Sequence, residues 1–547
     1  MRSMPATDPI SDLRAAVLDA AAGLLDGEAL NTPPSLEQPP RAEMGDYSSN
    51  AAMLLAAPLG KPPREVAEDL TQRLGDRLGE DLERAEVAGP GFANLFLSDR
   101  WYRRALASLA GGAGARIPQA PGAERTNIEF VSANPTGPLT AAGGRHAAYG
   151  DAVARLLEAV GHGVEREYYV NDAGGQIERF AASIAARMRG EPPPEDGYAG
   201  EYVAELAEAL GSEGVDPADA DALARLGVEL MLARIEATLE RFGVRFDSWF
   251  SERSLYESGR IEETLAALRE AGQVYESDGA LWLRTSSFGD DKDRVLVRST
   301  GEPTYLAADV AYHRDKLARG FERLINVLGA DHHGYQARMR AALQALGGDP
   351  GRFEALIMQL VSIVQSGGRA QMSKRKGEFV TLDELVDDIG VDATRFFMLQ
   401  RSHDTTVDLD LELARRQSND NPVYYVQYAH ARIASIMRKA GTDPRAEAEA
   451  GLEDVAAPVE PAERRLIKRL LELPEEVREA ADRRAPHRLC AHSTQVAADF
   501  HAFYRDCKVI GAEGEGVERS RLALCAATME TIARALGLLG ISAPDRM

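Results

Sequence analysis

Residues 126–162, TNIEFVSANPTGPLTAAGGRHAAYGDAVARLLEAVGH, constrain the fold more than any other stretch of the chain. An apolar run breaks into a Gly/Pro loop, and the loop leads into residues whose apolar positions recur at helical period. Strand, loop, helix is the opening of a βαβ unit, which sets the next strand parallel to the first and covers the sheet with the helix. VEREYYVND (164–172) supplies a second candidate strand. Ligands of such sheets sit at the carboxyl ends of the strands. The P-loop pattern GxxxxGK[ST] and the dinucleotide pattern GxGxxG are both absent, so a nucleotide would be held another way. The stretch NPTGPLTAAGG carries few bulky side chains just before a helix, and amide N–H groups at a helix N-terminus can face an anion there. The same composition also makes an ordinary turn.

A chain of 547 residues has room for three or four domains. The first ~110 residues read as a small α/β unit: an amphipathic helix from about Ile10 to Leu25, a Pro-rich loop, and the strand-like GPGFANLFLSD. GGAGARIPQAPG (111–122) reads as a linker. Residues 123–390 then form the parallel-sheet domain, with a helical insertion at about 176–245 inside a helical stretch that runs to 275. A strand group follows in GALWLRT, RVLVRS, TYLAADVAYH and RLINVLGADHHG. From about Ile389 onward nearly everything reads as helix, so 391–547 is expected to be a helical domain.

No apolar run approaches the ~20 residues of a membrane span, and the N-terminus shows no secretory core. A cytoplasmic protein is expected. Cys490, Cys507 and Cys525 form no CxxC pair and read as core thiols, with no structural metal expected. Lys and Arg number 63 against 86 Asp and Glu, a net charge of −23 that argues against broad phosphate neutralisation but leaves room for a local basic face. SGGRAQMSKRKGEFVTL (366–382) is the local exception: Arg369, Lys374, Arg375 and Lys376 lie between glycines. Such a loop can close on phosphates and stabilise departing pyrophosphate, or be a solvated charge run.

ANPTGPLTAAG (133–143) and QMSKR (371–375) together resemble the two signatures of class I aminoacyl-tRNA synthetases. EYYVNDAGGQI, YLAADVAYHRDK, LGADHHGY, NPVYYVQYAHARI and the ending LGLLGISAPDRM resemble the arginyl-tRNA synthetase branch, and GDYSSNAAMLLA and GPGFANLFL resemble its N-terminal domain. The resemblance covers essentially the whole chain. It implies a Rossmann-like catalytic domain with a helical insertion, a small N-terminal α/β domain that touches tRNA, and a C-terminal helical anticodon-binding domain. It also implies arginine, ATP with Mg2+ and tRNA(Arg) as reactants and partners, with no membrane or DNA partner and a monomeric state. Activation would need bound tRNA.

The resemblance further implies roles for particular residues. Thr140, Gly143, Ser373 and Lys374 stand at the catalytic positions. Ala133, Asn134, Pro135, Thr136, Gly137, Pro138, Leu139, Ala141 and Ala142, with Met372 and Arg375, would surround ATP. Glu129, Asn134, Tyr305, Asp309 and Gln336 would receive arginine, Glu129 taking its α-amino group. Phe92 and Asn94, and Tyr425 and Arg432 in the C-terminal domain, would contact tRNA. Physical chemistry supports the amino-acid choice independently, because a guanidinium presents five donors in a plane and asks for carboxylates. Asp309, in YLAADVAY, offers one.

The family loop reads His-x-Gly-His where this chain has Thr140, Ala141, Ala142 and Gly143, and Gln371 replaces the first lysine of the second signature. Loss of one preorganised donor costs ~2.7–4 kcal/mol in comparable sites. Thr140 keeps a hydroxyl, Gly143 admits backbone N–H groups, Arg145 and His146 offer charge one turn further on, and Lys374 is retained. An active enzyme with a variant ATP loop is therefore expected, against a weakened tRNA-binding or regulatory paralogue. A cysteinyl-type enzyme lacks its zinc-ligand cysteines here, and a small-molecule nucleotidylyltransferase would not need the helical C-terminal third.

Overall fold

The first strand forms where the β-branched run sits, and everything around the cleft is arranged from it. A computed structural model describes residues 8–25, 30, 32–111, 116–332, 334–365, 368–369, 380–441, 452 and 455–547. The central elements are β1 (Arg125–Glu129), α1 (Ala141–Ala159), β2 (Gly163–Val170), α2 (Gly175–Met188), β3 (Ser248–Ser251), α3 (Tyr305–Ala318), β4 (Arg323–Gly329), α4 (Tyr335–Ala345), β5 (Phe353–Met358), α5 (Leu382–Leu399) and α6 (Pro422–Ala440). The five strands form one parallel sheet in the order β5-β4-β1-β2-β3. Chain direction through the sheet reverses between β1 and β4, the place where an open α/β sheet leaves a crevice. Register sets Asn326 of β4 and Glu167 of β2 on either side of Glu129.

Helix α1 lies close on the sheet because Gly150 faces Phe130, whose ring a Cβ at that position would strike. Its far side is pinned by Asp151, whose carboxylate accepts from the buried Arg395 of α5 at 2.6 Å. The insertion comprises α2 and the helices Glu201–Ser212 and Ala220–Arg241.

Three expectations about local structure are corrected. TYLAADVAYH, grouped with the strands, is the start of α3: Ala307, Ala308, Val310, Ala311 and Tyr312 are buried on a helical stripe, and alanine favours that state. Ser248–Ser251, inside the stretch read as helical, is the edge strand β3, too short to show a period of its own. Val407–Asp410, in the region read as nearly all helix, pairs parallel with Val361–Gln365. The strands in GALWLRT and RVLVRS do form, but in a separate antiparallel sheet with Val274–Ser277.

At the N-terminus, helix Pro63–Leu78 packs on a four-stranded antiparallel sheet and helix Pro9–Leu24 packs against that helix, and Asp46 of this unit accepts from Lys468 of the C-terminal helices at 3.0 Å. Cys490, Cys507 and Cys525 are buried thiols. No helix among the described residues is long and apolar enough to cross a membrane.

Candidate active site

Beyond Glu129 the chain must turn out of the sheet at once, and it does so through Val131 at φ 67° and Ser132 at φ 38°. A β-branched residue in left-handed backbone stores strain of about 1–3 kcal/mol, which surrounding contacts must hold. Ser132 provides them: its hydroxyl donates to Glu129 Oε1 at 3.2 Å and accepts from the Tyr169 amide at 3.1 Å. A cleft of about 920 Å³ opens here, at the carboxyl ends of β1 and β4.

One end of the cleft rests on a buried charge network. Lys316 of α3, fully buried, donates to Glu129 Oε2 at 2.8 Å and stands 3.8 Å from Glu167. Glu167 also accepts from Tyr312 Oη at 2.6 Å and from both terminal nitrogens of Arg319. Asn326 donates from Nδ2 to Glu129 and to His313 Nε2, each at 3.1 Å. His313 therefore carries its proton on Nδ1 and donates to the Asp309 carbonyl at 2.8 Å. Burial pushes its pKa down to about 3, so it is neutral. Three of roughly four acceptor positions on Glu129 are occupied, which leaves one for a donor in the cleft. The buried Asn326 Oδ1 has no partner among the described residues.

Above this network, the carboxylates of Asp309 and Glu252 take no hydrogen bond or ion pair from other described residues. Burial raises both to about 7, with Glu129 next in effect on Asp309 and Asp172 on Glu252. Two carboxyls without partners, near a third, make this end a site for a multiply donating cation. Tyr169, Tyr312 and Tyr335 line it.

The other end is formed by Thr136–Thr140 and the start of α1. Thr140 is the N-cap, its Oγ accepting from the Gly143 N–H at 3.5 Å, and its own hydroxyl proton is left to donate elsewhere. The loop is tied down through its backbone: Ala141 N–H donates to Val380 O at 3.0 Å, Leu382 N–H to Leu139 O at 2.8 Å, and Thr140 is bridged to Thr381. Tyr168 donates to Ala133 O, Tyr202 of the insertion donates to Thr136 O, and Asn134 Nδ2 donates to Gln176 of α2. Pro135 and Ala141 are buried supports, whereas Asn134, Gly137, Pro138, Leu139 and Ala142 line the cleft.

The compensation expected from Arg145 and His146 is not what the structure provides. Arg145 is buried and donates to the carbonyls of Gln359, Leu360, Ser402 and Thr405, because α1 turns it away from the cleft. His146 lines the cleft but is neutral: burial, then the Arg145 charge, lowers its pKa to about 4.

Of the expected arginine-binding residues, the structure gathers Glu129, Asn134 and Asp309 at the cleft. Tyr305 is 70% exposed at the N-terminus of α3 and stands outside the lining. Gln336 faces away, its amide oriented to donate to Ala355 O and accept from Arg340; its neighbour Tyr335 lines the cleft instead. Asn326 and Tyr169, which strand pairing brings to the cleft, were missed, although Tyr169 lies within the quoted EYYVND; so was Glu252, which follows β3 and whose charge acts on Asp309. Met372, Ser373, Lys374 and Arg375 lie outside the described residues.

Of the expected tRNA contacts, Asn94 is 5% exposed with its Oδ1 accepting from Ser48, while Phe92 is partly exposed beside it. Tyr425 packs against His501. Arg432 lies over the rings of Tyr428 and Tyr504 at 4.7 and 5.3 Å, and Tyr424 stacks on Tyr428.

Comparison with known proteins matches three family models: the arginyl tRNA synthetase N-terminal domain at residues 11–97, the catalytic domain of class I (R) tRNA synthetases at 218–433, and the DALR anticodon binding domain at 426–547. The chain is 46% identical to an arginine–tRNA ligase of Frankia alni over 98% of this chain and 100% of that one. It is 46% identical to an arginine–tRNA ligase of Desulforudis audaxviator, covering 98% and 97%. Its fold is similar to that of Thermus thermophilus arginyl-tRNA synthetase, with a TM-score of 0.77 at 28% identity over 98% of this chain and 100% of that one.

Proposed function

This chain belongs to the arginyl-tRNA synthetase family of class I, and on that premise we propose that it joins arginine to tRNA(Arg) at the cleft between β1 and β4. The observation that carries the reading is the acidic end of the cleft, where Asp309 lacks a partner beside Glu129 and feels the charge of the buried Glu252. The guanidinium of arginine donates to Asp309, with Glu252 and the Tyr169 hydroxyl close by. The α-amino group gives one hydrogen to the remaining position on Glu129 and another to Asn326 Oδ1, the acceptor without a partner. Asn134, held by Gln176 at 2.6 Å, orients the carboxylate end.

ATP is the second substrate and brings Mg2+. A carboxylate oxygen of arginine bonds to the α-phosphorus, the bond to the β-phosphate breaks, and its electron pair leaves on pyrophosphate. The 2′-hydroxyl of the terminal adenosine then attacks the arginyl carbonyl and AMP departs. The protein positions and stabilises charge; no covalent enzyme intermediate is needed. Thr140 and the amides at the start of α1 face the phosphates, with Lys374 and Ser373 of QMSKR as further donors. The C-terminal helices read the anticodon side of tRNA with Arg432 and its tyrosines as a stacking platform, and Phe92 offers an aromatic face from the N-terminal unit. A regulatory paralogue has only the altered loop in its favour. The protein is read as a cytoplasmic monomer.

Attachment of radiolabelled arginine to tRNA by the purified chain, with Lys374→Ala alongside, tests this reading. Charging that requires ATP and collapses in the variant supports it. A folded protein that binds tRNA without charging it overturns it in favour of the regulatory reading.

A further inference from the structure

The reaction asks most of the end of the cleft that offers least. Charge builds on the β- and γ-phosphate oxygens as pyrophosphate leaves, and preorganised cations stabilise it. At the Thr140–Gly143 loop the side chains supply a single hydroxyl, His146 is neutral, and Arg145 is buried among carbonyls elsewhere. Of the described residues that line the cleft, Arg179 is the only arginine or lysine.

Its helix decides where it stands. Gln176, in the first turn of α2, accepts from Asn134 Nδ2 at 2.6 Å, which docks this turn against the loop. Residues three apart share a helix face, so Arg179 is on the side of α2 turned toward the loop. Helical side chains lean toward the N-terminus, and Arg179 does: its Nη1 is 3.6 Å from the position a Cβ on Gly175 would take. Among the described residues no acceptor takes its N–H groups, and no carboxylate is within ion-pair distance, Asp196 on the same wall included. Its neighbours in the insertion are engaged: Arg187 donates to the Ala199 carbonyl and Arg189 pairs with Glu191. An arginine with five donors, left open in a cleft of an acidic protein, has an anion to receive.

We propose that Arg179 is a phosphate-binding cation of this enzyme, its guanidinium taking two oxygens of the ATP polyphosphate and replacing the ring donors that the family signature places at 140 and 143. The inference rests on the arginine–tRNA ligase reading. As the bond between the α-phosphorus and the bridging oxygen breaks, the electron pair moves onto pyrophosphate, where the planar fork matches the oxygens. The cation thus comes from the helical insertion instead of from α1.

The experiment compares wild type, Arg179→Ala, Arg179→Lys and Arg225→Ala, an exposed insertion arginine outside the cleft, in charging kinetics and in ATP titration by calorimetry on the full chain. Arg179→Ala is expected to lower kcat/KM for ATP on the order of 10²-fold, with KM for arginine and tRNA and the melting temperature unchanged. Arg179→Lys recovers part of the loss, and Arg225→Ala behaves as wild type. Wild-type efficiency with ATP in Arg179→Ala overturns the proposal. So does a loss confined to KM for tRNA, which assigns the side chain to the phosphates of the acceptor end. If the wild type binds ATP without charging tRNA, the ligase reading falls; the clamp then stands if Arg179→Ala weakens ATP binding and falls if it does not.

Discussion

The two ends of the cleft are built by opposite means. At the acidic end, buried side chains do the positioning: Lys316, Glu129, Glu167, Arg319, Asn326 and His313 hold one another, and Asp309 and Glu252 take no partner among the described residues. At the other end the loop of residues 133–143 is held by its backbone, through Val380, Leu382 and Thr381, and by tyrosine hydroxyls on its carbonyls. A site made of interlocked buried charges cannot change one member without stranding another. A loop held through its backbone can lose two histidines and keep its shape, provided a cation arrives from elsewhere.

The largest effect that would break this contrast is expected at Lys316. Lys316→Met leaves Glu129 and Glu167 buried without their shared cation, a loss of about 3–5 kcal/mol, to be read from urea denaturation. A variant as stable as wild type would show that the network is not what anchors this end. Next comes Asp309→Asn, which keeps the shape and removes the charge. Transition-state stabilisation toward arginine should fall by about 2–5 kcal/mol, seen in kcat/KM for arginine with KM for ATP unchanged; equal losses for both substrates would merge the two ends into one.

A pH series sharpens the same point with a smaller signal. Asp309 and Glu252 both titrate near 7 in the empty cleft, against ordinary values of 3.8 and 4.5. Over that interval the folded chain keeps protons that the unfolded chain has lost, so the empty protein becomes less stable as pH rises through it. Glu129, Glu252, Lys316 and Arg338 are the charges that act on Asp309. A cationic ligand favours the ionised carboxylates. Arginine affinity should rise with pH by up to about tenfold per unit below 7 and level off above, with proton release measurable by calorimetry in two buffers. A flat profile would mean the carboxyls are already ionised. The smallest effect is at the other end: Thr140→Ala should cost about 1 kcal/mol of stability through the lost helix cap, and Thr140→Ser should restore it. A Thr140→Ser variant as unstable as Thr140→Ala would remove the cap from the account of this loop.

Legibility differed between the fold and the site. β1, the loop, α1 and β2 were readable because their apolar periods are long and their punctuation is strong. β3 was not, since four residues at a sheet edge carry no period, and α3 was misread because YLAADVAY is an almost unbroken apolar run, which a buried strand and a buried helix share. Glu129, Asn134 and Asp309 were found through words that belong to the family. Glu252 and Asn326 carry no such mark. One follows an unseen strand, and the other is polar in a strand that reads as core. Arg145 shows the reverse error: one helical turn from the loop is near in sequence, yet the 3.6-residue period sends it to the opposite side.

What the sequence determined by itself was the order of elements, the parallel sheet, the three-part chain and the family, because periodicity, turn chemistry and shared words are local properties. What only the tertiary structure decided was which charges meet. Strand register sets Asn326 and Glu167 beside Glu129, the docking of α3 lowers Lys316 between two carboxylates, and the docking of α2 brings Arg179 to a loop more than thirty residues before it in the chain. Those pairings depend on distances through space, on which linear spacing is silent.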